Sequence, residues 1–398
     1  MNYNFSDKIK SLKPSAIREM FKSLVDPEVI SFAAGNPAPE SFPVEELARL
    51  SADIYKNSAV PALQYSMTEG YAPLRAAITK RQGERFGVVS EDDDTLVVSG
   101  GNQGIELAAK IFTNEGDVVI CEEPTFIGAL NAFRSCGART VGVKLHDDGI
   151  DPDELDKTLT ATPNAKMIYL IPTFHNPCGT STSLEKRKAI LEVAKKHGVV
   201  IFEDNPYGEL RFEGEDIPTL KSLDKDGIVI YCSSFSKILS AGMRVGFVIT
   251  NKEIIAKMTV AKQSEDVHTN IFFQMLCYKY MTECDLDAHI EKIRGIYKHK
   301  TSLMLSALDA NMPDCISYTR PQGGLFIWCR LPEGVTDCSD YIKACMANKV
   351  AVVPGSTFNC DPSKPSNGFR LNYSTPSDEQ IILGVERISK AAKEMFCR

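Results

Sequence analysis

The chain has 398 residues, too many for one simple core, so a large domain with a smaller companion is expected. Apolar residues make up 43% and charged residues 24%, the balance of an ordinary globular protein. A formal charge of -7 argues against a nucleic-acid surface, and no apolar run reaches the length of a membrane span. The stretch Met1 to Lys8 lacks the layout of a signal peptide, so the cytoplasm is the expected compartment. Twelve cysteines form no Cys-x-x-Cys pair and six histidines show no ligand spacing; no metal is expected.

In chain order, residues 13 to 24 read as a short helix opening on Pro14 or Ser15. Val29 to Pro37 is an extended piece closing in a Gly/Pro turn, and Glu45 to Asn57 is an amphipathic helix. Leu63 to Gly70 reads as a turn-rich loop, followed by a helix from Ala72 to Phe86. Strand candidates then recur at Thr95–Val98, Asp117–Cys121, Thr140–Lys144, Met167–Ile171, Val199–Phe202, Ile228–Cys232 and Val245–Ile249, with helices such as Leu184–Lys196 between them. This alternation predicts a mostly parallel sheet covered on both faces, with ligands at the carboxyl ends of its strands. After about residue 285 a long charged helix, His289 to Asp309, is followed by short strands at Leu325–Trp328 and Ala351–Pro354 and a last helix, Asp378 to Met395. That texture is α+β. The expected division is a large domain over 46–285 and a small one made of 1–45 plus 286–398.

The strand ends carry the chemistry. Ile228–Cys232 runs into Ser233-Ser234-Phe235-Ser236-Lys237, with Arg244 seven residues beyond the lysine. A Lys amine can condense with an aldehyde, while hydroxyls and a guanidinium hold a phosphate; together they suggest pyridoxal phosphate. Ser99-Gly100-Gly101-Asn102-Gln103 links a strand to a helix start whose free N–H groups face an anion. It lacks the full nucleotide-binding patterns. Phe126 follows the next strand and is placed to stack on a flat ring, or to fill a core. Asn176, held extended before Pro177, offers an amide to a ring substituent or caps a local turn. Asp204 ends the strand Val199–Phe202, where a buried carboxylate is costly unless paired, and a pyridinium N–H is a fitting partner. Tyr207 lies three residues on, in reach of a ring hydroxyl.

In this order and spacing, Ser-Gly-Gly-Asn-Gln, Asn176-Pro177-x-Gly179, Asp204-x-x-Tyr207 and Ser234-Phe235-Ser236-Lys237 with Arg244 resemble the class I/II aminotransferases, the fold-type-I pyridoxal-phosphate enzymes. The segments "IREM…ISFAAGNPAPESFP", "LQYSMTEGYAPLR" and "GFRLNYS" are similar to the 2-aminoadipate, kynurenine and aromatic branch. The resemblance implies roles. Lys237 forms a Schiff base and then moves the substrate α-proton; Asp204 holds the pyridine N–H; Asn176 and Tyr207 bind the ring hydroxyl; Phe126 stacks on the ring. Gly101, Asn102, Ser234, Ser236 and Arg244 hold the phosphate. Tyr65 reaches the phosphate bound to the other subunit, so a homodimer is implied. Arg370 clamps the substrate α-carboxylate with Asn176 and Gly35, and Arg18 meets an acidic side chain, with glutamate and 2-oxoglutarate as one pair. Gly101, Phe126, Cys178 and Ser233 depart from the residues commonest in the family, none of them at the catalytic groups. A lyase or decarboxylase of the same fold shares these motifs, and a regulator with a non-catalytic domain of this fold is the remaining alternative.

Overall fold

The computed structural model describes residues 3–11 and 26–397, so the helix expected over 13–24, with Arg18, lies outside the described residues. Eight strands build the main sheet: β2 (Asp93–Val98), β3 (Val118–Glu123), β4 (Arg139–His146), β5 (Gly149–Ile150), β6 (Ala165–Leu170), β7 (Val200–Asp204), β8 (Val229–Ser234) and β9 (Gly246–Asn251), numbered after a short β1 (Ile30–Ser31). Their order is β2-β9-β8-β7-β6-β3-β4-β5. The run from β8 to β4 is parallel throughout, and only β9 and β5 run against their neighbours. Both faces are buried, as the apolar strand runs require. Val119, Cys121, Met167, Tyr169, Ile230 and Cys232 face helices Gly101–Phe112, Ile127–Ser135 and Lys252–Gln263. The alternate residues Ile120, Ile168, Leu170 and Val229 face Pro152–Ala161 and Leu184–His197.

A second, antiparallel sheet has the order β10-β11-β14-β13, formed by Ser317–Tyr318, Phe326–Arg330, Gly368–Asn372 and Val353–Pro354. β1 pairs in parallel with β12 (Val350–Ala351), which ties the start of the chain to this smaller unit. The apolar block Ala351–Pro354, expected as one strand, is therefore split between two partners. The helices Leu286–Asn311 and Asp378–Phe396 pack against each other beside it. The second begins in a reciprocal cap, the Ser377 hydroxyl taking the Gln380 N–H and the Gln380 side chain taking the Ser377 N–H. A short helix, Ala59–Leu63, precedes the turn-rich loop at Gln64–Gly70. No described helix is long and apolar enough to cross a membrane.

Arg187, on the helix after β6, is fully buried and holds the loop that leaves that strand. Its guanidinium donates to Thr182 O, Pro218 O, Pro172 O and Thr173 Oγ1 at 2.7–3.0 Å. Removing it strands the carbonyls of Thr182 and Pro218, Pro172 O keeping the Thr182 N–H, and an unpaired buried polar group costs about 1–3 kcal/mol. Arg187→Met is therefore expected to destabilise the protein by roughly 3 kcal/mol or more, read as a lower thermal midpoint. An unchanged midpoint contradicts that role.

Candidate active site

The parallel register sets the carboxyl ends of β6, β7 and β8 side by side, with Leu170 opposite Glu203 and Asp204 opposite Cys232. Asp204 is the last residue of β7 and is buried. Its Oδ2 accepts the Tyr169 hydroxyl at 2.7 Å, and no cation pairs with it among the described residues. Burial pushes its carboxyl up to about 7, against the Tyr169 bond and with some help from Glu122. On the next strand, β8 ends at Ser234, and Lys237 follows in a helical turn, Ser236–Ser240. Burial brings the Lys237 amine down to about 8, aided by the charges of Arg370 and Arg244. Its Nζ donates to the Gly35 carbonyl at 2.6 Å.

Facing these groups is β14 of the smaller sheet, which carries Arg370. Its guanidinium donates to Asn176 Oδ1 at 2.8 Å and to Ala33 O at 2.7 Å. The guanidinium carbon also lies 4.2 Å from the centre of the Phe326 ring and 5.0 Å from that of Phe358. Five donors less two used leaves three, and the buried Nε has no partner. Burial also brings Arg370 down to about 10, with Tyr207 opposing. Tyr207 is buried beside Asn176 and Asp204, and burial raises its phenol.

The anion cup lies at the opposite end. The helix Gly101–Phe112 has no side-chain N-cap; the Gln103 N–H turns back to Gly100 O at 3.0 Å, and the N–H groups of Gly101 and Asn102 have no partner among the described residues. Gly100 precedes it at φ 81°, and a Cβ there would lie 2.2 Å from Arg244 Nη2; glycine is required by both the backbone and the approach of the guanidinium. Arg244 itself sits at φ 54° and reaches Ser99 O at 3.4 Å. Ser234 Oγ donates to Ser236 Oγ at 2.6 Å and accepts the Ser236 N–H at 2.9 Å, pairing the two hydroxyls. Phe126 caps the helix after β3 and packs close over Gly128 beside Asn102.

These donors fit a flat ring with a proton-bearing nitrogen at one end, an aldehyde at the other and a phosphate arm. The deciding features are a buried carboxyl lacking a cation, a buried lysine near neutrality and an uncapped helix start beside Arg244. The sequence of residues 27–388 matches the family model of aminotransferases class I and II. The chain belongs to that family. It is 39% identical to aromatic-amino-acid aminotransferase 1 of Thermococcus litoralis, over 98% of this chain and 94% of that one. The structure of kynurenine aminotransferase from Pyrococcus horikoshii, solved with pyridoxamine phosphate, superposes with a TM-score of 0.94 at 37% identity, covering 98% of this chain and 97% of that one. The α-aminoadipate aminotransferase LysN from Thermus thermophilus, solved with a phosphopyridoxyl-leucine adduct, gives 0.89 at 38% identity over 99% and 98% of the two chains. The aminotransferase reading of the motifs thus holds, with the fold-type-I architecture and pyridoxal phosphate as cofactor.

Of the expected site residues, Lys237 bonds Gly35 O, Arg370 bonds Asn176, and Tyr207 lies beside Asn176 and Asp204, while Arg244 packs against Gly100 at the helix start and Ser234 pairs with Ser236. Tyr65 instead stands 81% exposed, its ring edge-on to His268 at 5.9 Å. Two supports were missed. Tyr169 is a buried tyrosine in a core strand, whose hydroxyl had to find a partner. Beneath Asn176, His175 Nδ1 accepts the Cys178 N–H at 3.3 Å and its Nε2 lies 3.1 Å from buried Glu122, short of full alignment.

The neutral amine is the nucleophile. If Lys237 is the amine that captures the cofactor, its titration near 8, rather than at the usual lysine value of 10.5, is expected to give reconstitution of the apoenzyme a rate that rises with pH up to about 8 and levels above it. Stopped-flow absorbance during reconstitution checks this; a rate still climbing toward pH 10 contradicts it.

Proposed function

We propose that this aminotransferase moves the amino group of an L-amino acid to a 2-oxo acid, with Lys237 as the amine that bonds the cofactor's aldehyde carbon. The observation that carries the reading is the pairing of buried Lys237 with buried, cation-free Asp204 at the ends of adjacent parallel strands. When bound, pyridoxal phosphate supplies an electron sink for the substrate α-carbon. Asp204 accepts the ring N–H through the oxygen that Tyr169 leaves free, and so remains ionised there. Asn176 and Tyr207 take the ring hydroxyl, Phe126 stacks on the ring, and Gly101, Asn102, Ser234, Ser236 and Arg244 take the phosphate.

Arg370 receives the substrate carboxylate on its unused donors, with Asn176 and the Gly35 backbone alongside. Bound in that way, the α-carbon would face Lys237, whose Nζ, freed when the substrate amine takes its place on the aldehyde carbon, would take the α-proton and give it up to that same cofactor carbon; a positioned acid/base contributes ~10²–10⁴-fold. The Gly35 carbonyl, which holds Nζ at 2.6 Å, keeps the amine aimed across the cleft. The active unit in this reading is a homodimer whose Tyr65 reaches the partner's phosphate; the exposure of Tyr65 together with Val60, Leu63 and Met67 supports it. Glutamate and 2-oxoglutarate form one substrate pair, with Arg18 reading the distal carboxylate.

Each amino acid mixed alone with the holoenzyme tests the reaction: transamination bleaches the visible cofactor band and yields one equivalent of oxo acid, whereas free ammonia or carbon dioxide contradicts it. Lys237→Ala is expected to lose the band. Arg370→Ala should lower kcat/KM for every amino acid by about 10²-fold, the worth of two charge-assisted bonds. Arg18→Ala should affect only acidic substrates, and unchanged glutamate kinetics in that variant removes the acidic-substrate assignment.

A further inference from the structure

Behind the phosphate cup lies a charged cluster that none of the roles above uses. Lys262, in the last turn of the helix Lys252–Gln263, has a fully buried side chain. Its Nζ contacts both Asp266 oxygens, Oδ1 at 2.7 Å and Oδ2 at 2.9 Å, with Gln103 Oε1 at 2.9 Å and Thr269 Oγ1 at 3.0 Å, so three residues share the three ammonium hydrogens. Asp266 Oδ2 in turn accepts the Ser99 hydroxyl at 2.6 Å and the Gln103 side-chain amide at 2.9 Å. Gln103 Oε1 also accepts the Ser99 backbone N–H at 2.7 Å. Ser99 and Gln103 flank Gly100-Gly101-Asn102, the residues whose backbone forms the cup. The Ser99 hydroxyl, although it adjoins the cup, is therefore turned away from it.

We propose that Lys262 and Asp266 are positioning residues for phosphate binding: their ion pair, with the ammonium buried and the carboxylate half-buried, fixes Ser99 and Gln103, and through them the open N–H groups of the helix start relative to Arg244. This rests on the assignment of that cup to the cofactor's phosphate. The pair is charge-balanced, so it acts by geometry and not by adding positive charge. Ser99 shows the link, because its hydroxyl and N–H belong to the network while its carbonyl faces Arg244 at 3.4 Å. The segment that completes the cluster carries Val267 at φ 63°, a conformation a β-branched residue adopts only when its surroundings impose it. A buried ammonium is costly unless paired, and this one, with Asp266, is committed to the two residues that flank the cup.

The test is equilibrium binding of pyridoxal 5′-phosphate and of phosphate-free pyridoxal to the apoenzyme, with Arg244→Ala as control. Lys262→Met is expected to raise the Kd for pyridoxal 5′-phosphate about tenfold or more and to leave that for pyridoxal within about twofold, since only phosphate contacts worsen. Inorganic phosphate should likewise raise the apoenzyme's thermal midpoint less in the variant. Equal weakening of both ligands, or no change in either, overturns the proposal. If Arg244→Ala loses the phosphate preference while Lys262→Met keeps it, the network has no such role and the cup stands; if neither loses it, the cup assignment falls as well. Should Lys262→Met not fold, Ser99→Ala breaks a single hydroxyl bond in the same chain and is expected to shift the preference in the same direction by about threefold. An unchanged preference there overturns the proposal.

Discussion

A carboxyl buried at the end of a parallel strand, with one hydroxyl donor and no cation, is the constraint on which this site depends. Among the described residues Tyr169 is the one side chain that bonds Asp204, and burial raises its carboxyl to about 7. Left ionised it would cost several kcal/mol, so the site is complementary to a ligand that brings its own N–H. The parallel sheet makes the complement possible: β8 lies beside β7 in register and delivers Lys237 to the same edge. Burial moves the two groups in opposite directions, the acid up and the amine down, so that each rests closer to its neutral form until a partner is bound.

Around that pair the backbone is bent where side chains must be aimed. Phe174, two residues before Asn176, sits at φ 52°, Arg244 at φ 54° and Val267 at φ 63°. Each lies on a segment that adjoins the site or the cluster around Lys262. Arg211 covers the Phe174 ring at 4.6 Å, while Gly323 and Gly324 leave room for that side chain, since a Cβ on either would lie within 2.7 Å of it. Arg370 is another instance of forced placement, a guanidinium with two aromatic rings close by and fastened to Ala33 O and Asn176. The smaller sheet is thereby fastened through Arg370 to the loop that follows β6.

Much of this was legible in the chain because the signals are local. The helix Leu184–His197 carries a Ser183 cap and a Gly198 stop, and its limits follow from them. The strand ends at Asp204 and Ser234 follow from short apolar runs that break into polar residues. What escaped depends on partners far away in sequence. Ala351–Pro354 reads as one strand, yet Val350–Ala351 pairs with Ile30–Ser31 and Val353–Pro354 with β14. Arg370 was placed only by resemblance, since nothing in Gly368–Asn372 announces a substrate clamp. Lys262 looks like any solvated helical lysine; its burial comes from Gln103 and Thr269, which reach it from two other segments.

The central claim is that Lys237, among the lysines of this chain, bonds the cofactor. Borohydride reduction of the holoenzyme followed by peptide mass analysis tests it directly. The account predicts a phosphopyridoxyl mass on the peptide containing Lys237 and on no other. A label on a different lysine, or none on a protein that has taken up the cofactor, would contradict it.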